Sequence, residues 1–239
     1  MSTTSSHPLA TLARVAADAA GDAASLTTHD GFEAAVTAVL RAAVVAAPGT
    51  AAASLTRRVG PGTRPSTIAA TDPVAARLDR AQDAWGEGPC HTVVTTHADL
   101  VTSPDVGDDV RWPRLRASFD GAGGRAVWPV VSQALAVPAP HRAALNLYRT
   151  AAGGTSVPSD VADAVGLAVT ALIHAHDAGN VRRALASNRR IGMAVGVLMT
   201  LHRSTEQEAF DLLRTASQDR NVKLRDLAEE VVLTGALPS

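Results

Sequence analysis

The residues best placed to do chemistry are cations in the last third of the chain. From Arg182 to Arg225 nine basic residues stand against four acidic ones, Glu206, Glu208, Asp211 and Asp219, a local +5 in a chain of net charge -1. Arg189, Arg190, Arg214, Arg220, Lys223 and Arg225 fall on helical stretches or the turn between them. A guanidinium can grip a phosphate bidentately or stack on a base, so such a footprint suits a polyanionic partner, although a solvated helix face gives similar counts. Ser217 is small enough to pack between helices and also carries a hydroxyl that can donate to phosphate.

Other reactive patterns are weak. Cys90 is the only cysteine, so it forms no internal disulfide and no cysteine-rich metal site, which suits a reducing, cytoplasmic location. Its neighbour His91 diverges from it along the chain, so a structural thiol is the expectation rather than a paired nucleophile. His174 and His176 are two apart and point to different sides of a helix, which spoils a chelate. The glycines of Gly121 to Gly124 form no phosphate-binding loop, and no nucleophile elbow or metalloprotease motif is present; the chain is read as a non-enzyme without a metal. No apolar stretch reaches the roughly 20 residues that span a bilayer.

These side chains must be positioned by a chain of 239 residues that is 46% hydrophobic but only 3% aromatic. That composition predicts thin Ala, Val and Leu cores in two domains. Leu9 to Ala20 reads as a short helix, and Asp30 as the N-cap of a second helix over Gly31 to Ala46, with Phe32, Val36, Val39, Leu40 and Val44 at helical spacing. Strands are expected at Ala51 to Val59, Ser66 to Ala70, Leu100 to Thr102, Arg125 to Val131 and Ala143 to Tyr148. Helices are expected from Asp72 through Leu78 and over Val110 to Phe119. The assembly predicted is an antiparallel sheet flanked by helices.

From Ser159 onward the period is helical. Val161, Val165, Ala168 and Leu172 step by four, three and four residues, which is coiled-coil spacing, and the run stutters at Gly179 and Asn180 before resuming with Val181, Leu185, Ile191, Val195 and Leu198. A kinked or briefly broken helix is expected there. Ser204 with Gln207, or Thr205 with Glu208, makes a capping box for the next helix, which turns Ala209, Phe210, Leu213 and Ala216 inward. Asn221 marks a turn, and a last helix carrying Leu224, Leu227, Ala228, Val231 and Val232 stops at Gly235.

Three stretches in this order, Ala184 to Met199 (ALASNRRIGMAVGVLM), Ser204 to Arg214 (STEQEAFDLLR) and Asn221 to Gly235 (NVKLRDLAEEVVLTG), resemble the ANTAR domain of bacterial antitermination regulators. The resemblance implies binding to paired RNA stem-loops of a nascent transcript, which keeps a terminator from forming. It also implies a homodimer joined through the preceding helix. On this reading Arg189, Arg190, Arg214, Ser217, Arg220, Lys223 and Arg225 are the RNA-binding candidates. Asn188 and Val195 depart from the pattern, standing where many members carry a basic residue, while Ala194 and Gly196 are read as permitting close helix packing.

Gly86 to His91 (GEGPCH), Asp108 to Leu115 (DDVRWPRL) and Ala143 to Arg149 (AALNLYR) resemble a GAF domain, the sensor module that often precedes ANTAR in actinobacterial proteins. That resemblance implies a pocket between sheet and helices, with Trp85, Cys90, Trp112, Trp128 and Tyr148 as candidate ligand contacts; core packing is the competing role for each. No cofactor is predicted beyond an unidentified small-molecule ligand; His91 or His97 as a haem ligand has nothing in the sequence to favour it.

The fold class expected is therefore α+β: an N-terminal tail and helix over 1–20, a GAF-like sensor over 21–154, a coiled-coil-like connecting helix over 155–181 and a three-helix RNA-binding module over 182–239. The partners expected are RNA and a second copy, with a signal-delivering protein as a further candidate and no membrane. Two alternatives stand beside this reading. One is duplex DNA binding through the last helix, against which Asp226, Glu229 and Glu230 on its exposed face weigh. The other is a dimeric interaction protein that has lost RNA binding.

Overall fold

The computed structural model describes residues 8–21, 24–119, 129–150 and 159–237. Its contacts divide the chain into two units, residues 1–176 and 177–239. The class is α+β, as the sequence predicts.

The first unit is built on a five-stranded antiparallel sheet in the order β2-β1-β5-β4-β3, from β1 (Thr50–Arg58), β2 (Ser66–Ala70), β3 (Leu100–Ser103), β4 (Val130–Leu135) and β5 (Arg142–Arg149). Side chains alternate across it, as the two-residue period of a strand requires. Ala53 and Leu55 of β1, with Leu145 and Leu147 of β5, point into an apolar layer shared with α1 (Pro8–Gly21), α2 (His29–Ala46) and the start of α6 (Ser159–His202). Ser54, Thr56, Asn146 and Tyr148 face the other way, where α3 (Pro73–Trp85), α4 (Pro89–Thr95) and α5 (Pro113–Ala117) cover the sheet. One layer is dry and aliphatic; the other has a polar centre.

Several local expectations are corrected. The cap of α2 is Thr28, whose hydroxyl accepts from Gly31 N at 3.1 Å, so Asp30 lies inside the first turn, where its negative charge suits the helix dipole. The third helix runs on to Trp85 rather than stopping near Leu78, because Ala75, Leu78, Asp79 and Gln82 repeat at helical spacing on its buried face and Gly86, at φ 64°, ends it. The helix expected over Val110 to Phe119 is confined to α5, since Pro113 begins it and the chain before it is tied by Asp109 to Arg111. The strand expected from Arg125 begins at Val130, with residues 125–128 outside those described. Helix α4 was not expected; it opens at Pro89 after Gly88, and proline is favoured at a helix start.

Helix α6 continues through Gly179 and Asn180 without a break. Both residues are weak helix formers but neither clashes with helical geometry, and Asn180 accepts from Arg183 Nη2 at 2.5 Å instead of capping the backbone. The coiled-coil stripe is corrected as well. Val161, Val165, Ala168 and Leu172 are buried in the apolar layer of their own first unit, so none of them offers a seam to a second chain. No helix among the described residues is long and apolar enough to cross a membrane.

Candidate nucleic-acid interface

The second unit consists of the last part of α6, α7 (Glu206–Asp219) and α8 (Leu224–Thr234). Its core is Ala194, Val195, Leu198, Ala209, Leu213, Leu227, Ala228 and Val231, with Phe210, Ala216, Leu224 and Val232 packed half-buried around it. Burying each Leu or Val stabilises the unit by about 1.5–3 kcal/mol before entropy is counted, so five such positions with three alanines are a minimal core. The helix ends are correspondingly well specified. Thr205 and Glu208 form the capping box, Thr205 N donating to Glu208 Oε2 at 2.8 Å and Glu208 N donating to Thr205 Oγ1 at 3.4 Å. Asn221 takes φ 51° in the turn, and Gly235, at φ 74°, ends α8.

The candidate cations divide into two groups. Four are held by acids: Arg190 by Glu229, Arg214 by Asp211, Arg220 by Glu230 and Arg225 by Asp226. These pairs are exposed on both sides, and such pairs contribute about 0–1 kcal/mol, so each can open toward a stronger anion at little cost. Arg189 and Lys223 are exposed and have no acid partner among the described residues. The paired acids include all three that argued against DNA on the last helix, and they make that face a set of ion pairs rather than a bare negative stripe.

Ser217 is 9% exposed and donates to the carbonyl of Val222 at 2.7 Å, pinning the turn between α7 and α8. Its hydroxyl is engaged by the fold, so the phosphate contact is replaced by a packing role. Val195 is only 6% exposed, in the core, so its departure from the family pattern removes nothing from the surface. Asn188 is exposed. Ala194 packs at the helix contact as expected, but Gly196 does not: a Cβ there, or at Gly192 one turn earlier, would meet nothing within 4 Å. The two glycines border an open groove of about 940 Å3 between α6 and the start of α7, with Asn188, Val195, Phe210 and Leu224 among its lining. Two glycines in a helix interior cost about 0.5–1 kcal/mol each relative to alanine, and no contact inside the unit accounts for that cost.

In the first unit the ligand candidates separate. Trp85 ends α3 with 43% of its surface exposed, so it does not line an interior pocket. Trp112 is buried with Tyr148 in the layer under α3 and α5, and the Arg111 guanidinium lies 4.4 Å from its ring centroid. Trp128 lies outside the described residues. Cys90 and Tyr148 are bridged by Gln82, which accepts from Cys90 N at 3.0 Å and donates to the Tyr148 hydroxyl at 3.3 Å. Gly88 makes that bridge possible, since a Cβ there would lie 2.4 Å from the Gln82 oxygen.

The centre of this network is Asp79, which sequence reasoning missed. It is buried and receives hydrogen bonds from the Tyr148 hydroxyl, from Thr67 Oγ1 at 3.1 Å and from Asn146 Nδ2 at 3.4 Å. Burial pushes its carboxyl above the usual range, against the pull of these donors, and burial pushes the Tyr148 and Cys90 protons up as well. The signal that could have found it is the spacing Ala75, Leu78, Asp79, Gln82, which places two polar residues on a helix's buried face. The space bounded by Thr56, Thr67, Asp79, Cys90 and His91 is about 10 Å3, room for no more than about one water. His91 is half-buried with its Nδ1 unsatisfied, and Arg142 Nη1 lies 3.4 Å from His97 Nδ1. His174 is exposed, whereas His176 stacks on Phe32 at 4.5 Å and its Nδ1 lies 2.6 Å from the Leu26 carbonyl, so His176 is held within the first unit.

Comparison with known families places an ANTAR domain at residues 179–232, which spans the end of α6 and nearly all of α7 and α8. No curated protein matches the chain.

Proposed function

We propose that the chain is a signal-responsive regulator of transcription antitermination that binds stem-loop RNA through its second unit. The observation that carries the reading is the ANTAR match over residues 179–232, lying on a three-helix unit with exposed cations. Phosphate neutralisation by these cations, with contacts to unstacked loop bases, is the physics of such binding. No bond is made or broken; capture of two stem-loops competes with folding of a terminator.

Two loops call for two copies. With the earlier stripe buried, the seam we assign within the second unit is Ala178, Val181 and Leu185, spaced by three and four residues, of which Val181 and Leu185 are 59% and 64% exposed. We read the first unit as a GAF-type module, a reading supported by its antiparallel sheet and by the three stretches that resemble the family. The polar cluster around Asp79 fills the space beneath α3 and α4, which favours input through dimer or protein contacts over a resident small molecule.

The test is a titration of the whole chain against a two-stem-loop RNA with randomised loops, a single stem-loop and duplex DNA of equal length, at two salt concentrations. Preference for the two-loop RNA, weakening as salt rises, is expected. Equal binding to duplex DNA would move the reading to a DNA regulator, and no binding to any of the three would leave a dimeric interaction protein.

A further inference from the structure

Helix α6 ends in a backbone conformation that favours glycine, and an arginine occupies it. Ser204 N donates to the Met199 carbonyl at 3.2 Å, the closing bond of a Schellman turn, and the residue just before it, Arg203, takes φ 52°. Glycine is the usual occupant of that position and asparagine the next, because a Cβ in the left-handed region crowds the following carbonyl. Every other positive φ among the described residues belongs to a glycine or to Asn221. Arg203 alone among them carries a long side chain at the expense of its backbone.

Nothing inside the second unit accounts for that choice. Arg203 is exposed, and its side chain makes no ion pair or hydrogen bond among the described residues. A cation near a helix C-terminus is favoured by the helix dipole, but one residue earlier, at exposed His202, it would gain that interaction in ordinary helical backbone. Arg203 and His202 both stand on the wall of an open groove of about 640 Å3 between the end of α6 and the exposed side of α7. The two acids on that wall are engaged elsewhere. Glu208 accepts from Thr205 N at 2.8 Å in the capping box, and Asp211 is held by Arg214 at 3.1 Å and by Gln207 at 3.1 Å. Arg214, already an RNA-binding candidate, thus reaches the same groove through the acid it holds. A guanidinium carried on a turn, with no acid to neutralise it, is suited to gripping a phosphate bidentately, and strained backbone concentrates where function requires it.

We propose that Arg203 is an RNA phosphate contact, so that the RNA-binding surface extends from α7 onto the turn between α6 and α7. The inference rests on the RNA-binding reading above and adds to it a residue whose backbone strain is the counterpart of the contact it makes.

The test uses the whole chain and a two-stem-loop RNA that it selects from a pool with randomised loops, with affinity read by fluorescence anisotropy at three salt concentrations. Arg203→Gly relieves the backbone and removes the charge. It is expected to lower the slope of log affinity against log salt by about 0.7–0.9, the contribution of one phosphate contact, while leaving the Tm the same or higher. Arg203→Gln keeps the left-handed strain and loses the charge, so it should lose the same slope; Arg203→Lys keeps the charge and should retain most of it. Weaker RNA binding with an undiminished Tm separates a contact from a structural role, since a side chain that held the helix end would lower the Tm when removed. An unchanged slope in both Arg203→Gly and Arg203→Gln overturns the inference and leaves the RNA reading standing. A lower Tm in Arg203→Gly, or a loss of dimer mass in Arg203→Gln, also overturns it, the first placing the side chain in the fold and the second against another copy. If the unaltered chain selects no RNA, both readings fall together.

Discussion

Removing Arg189 and Lys223 together should change how RNA binding depends on salt more than how the protein folds. Both side chains are exposed and neither is held by an acid, so their loss frees no buried or paired group. Each contact to phosphate contributes about 0.7 to the slope of log affinity against log salt for single strands and about 0.9 for duplex, so the double alanine variant should lose roughly 1.4–1.8 from that slope. Over a fourfold rise in salt this makes the variant less salt-sensitive than the unaltered chain by a factor of about 7–12. Fluorescence anisotropy with a labelled two-stem-loop RNA at three salt concentrations measures it, with the urea midpoint as the folding control. Glu229→Gln, which releases Arg190, should leave the slope undiminished. The reasoning is refuted if the double variant keeps the full slope while Arg214→Ala and Arg225→Ala each reduce it. In that case the paired cations open toward phosphate and the unpaired ones only solubilise the surface.

Three further outcomes follow from other parts of the chain. Thr205→Ala removes the capping box and should lower unfolding free energy by about 1 kcal/mol, read from urea melts; a cost near zero would mean that α7 is held by packing alone. Val181→Glu with Leu185→Glu places charge on the seam assigned to the second copy and should halve the mass seen by sedimentation, whereas an unchanged mass would move the seam elsewhere. The buried carboxyl of Asp79 is raised above its ordinary 3.8 by burial, so the folded state holds the proton more tightly than the unfolded state; stability should fall as pH rises from that value through the folded one. Thermal melts of the unaltered chain should show this decline and Asp79→Asn should lack it. A flat profile from about pH 4 to 7 would show that the hydrogen bonds from Tyr148, Thr67 and Asn146 offset the desolvation.

What was legible in the sequence is what depends on near neighbours. The strand Ser66 to Ala70, the capping box at Thr205 and the stop at Gly235 each rest on residues within a few positions of one another, and each stands where local chemistry puts it. What was not legible depends on residues far apart. Arg190 meets Glu229 from the opposite end of the second unit, and Asp79 meets Tyr148 across 69 positions, so neither the quenching of a cation nor the burial of a carboxylate has a local signature. Helix α4 was hidden for a different reason: its seven residues include two β-branched valines and open on a proline after Gly88, and only the sheet beneath them makes the helix worthwhile.

The coiled-coil stripe and the glycine pair show the same ambiguity from opposite sides. Apolar residues at three- and four-residue steps state that a helix face is covered, but not by what. Val161, Val165, Ala168 and Leu172 are covered by their own domain, so the heptad pattern that suggested a partner has a complete intramolecular explanation. Gly196 reads as a packing residue for the same reason any small residue in a helix does, yet it faces open space. A pattern satisfied inside the chain carries no information about partners. The reverse also holds: an unfavourable residue with no internal contact to explain it is where an external contact should be sought. By that criterion Val181 and Leu185 point to a second copy, and Gly192 and Gly196 mark a helix face that no contact inside the second unit explains.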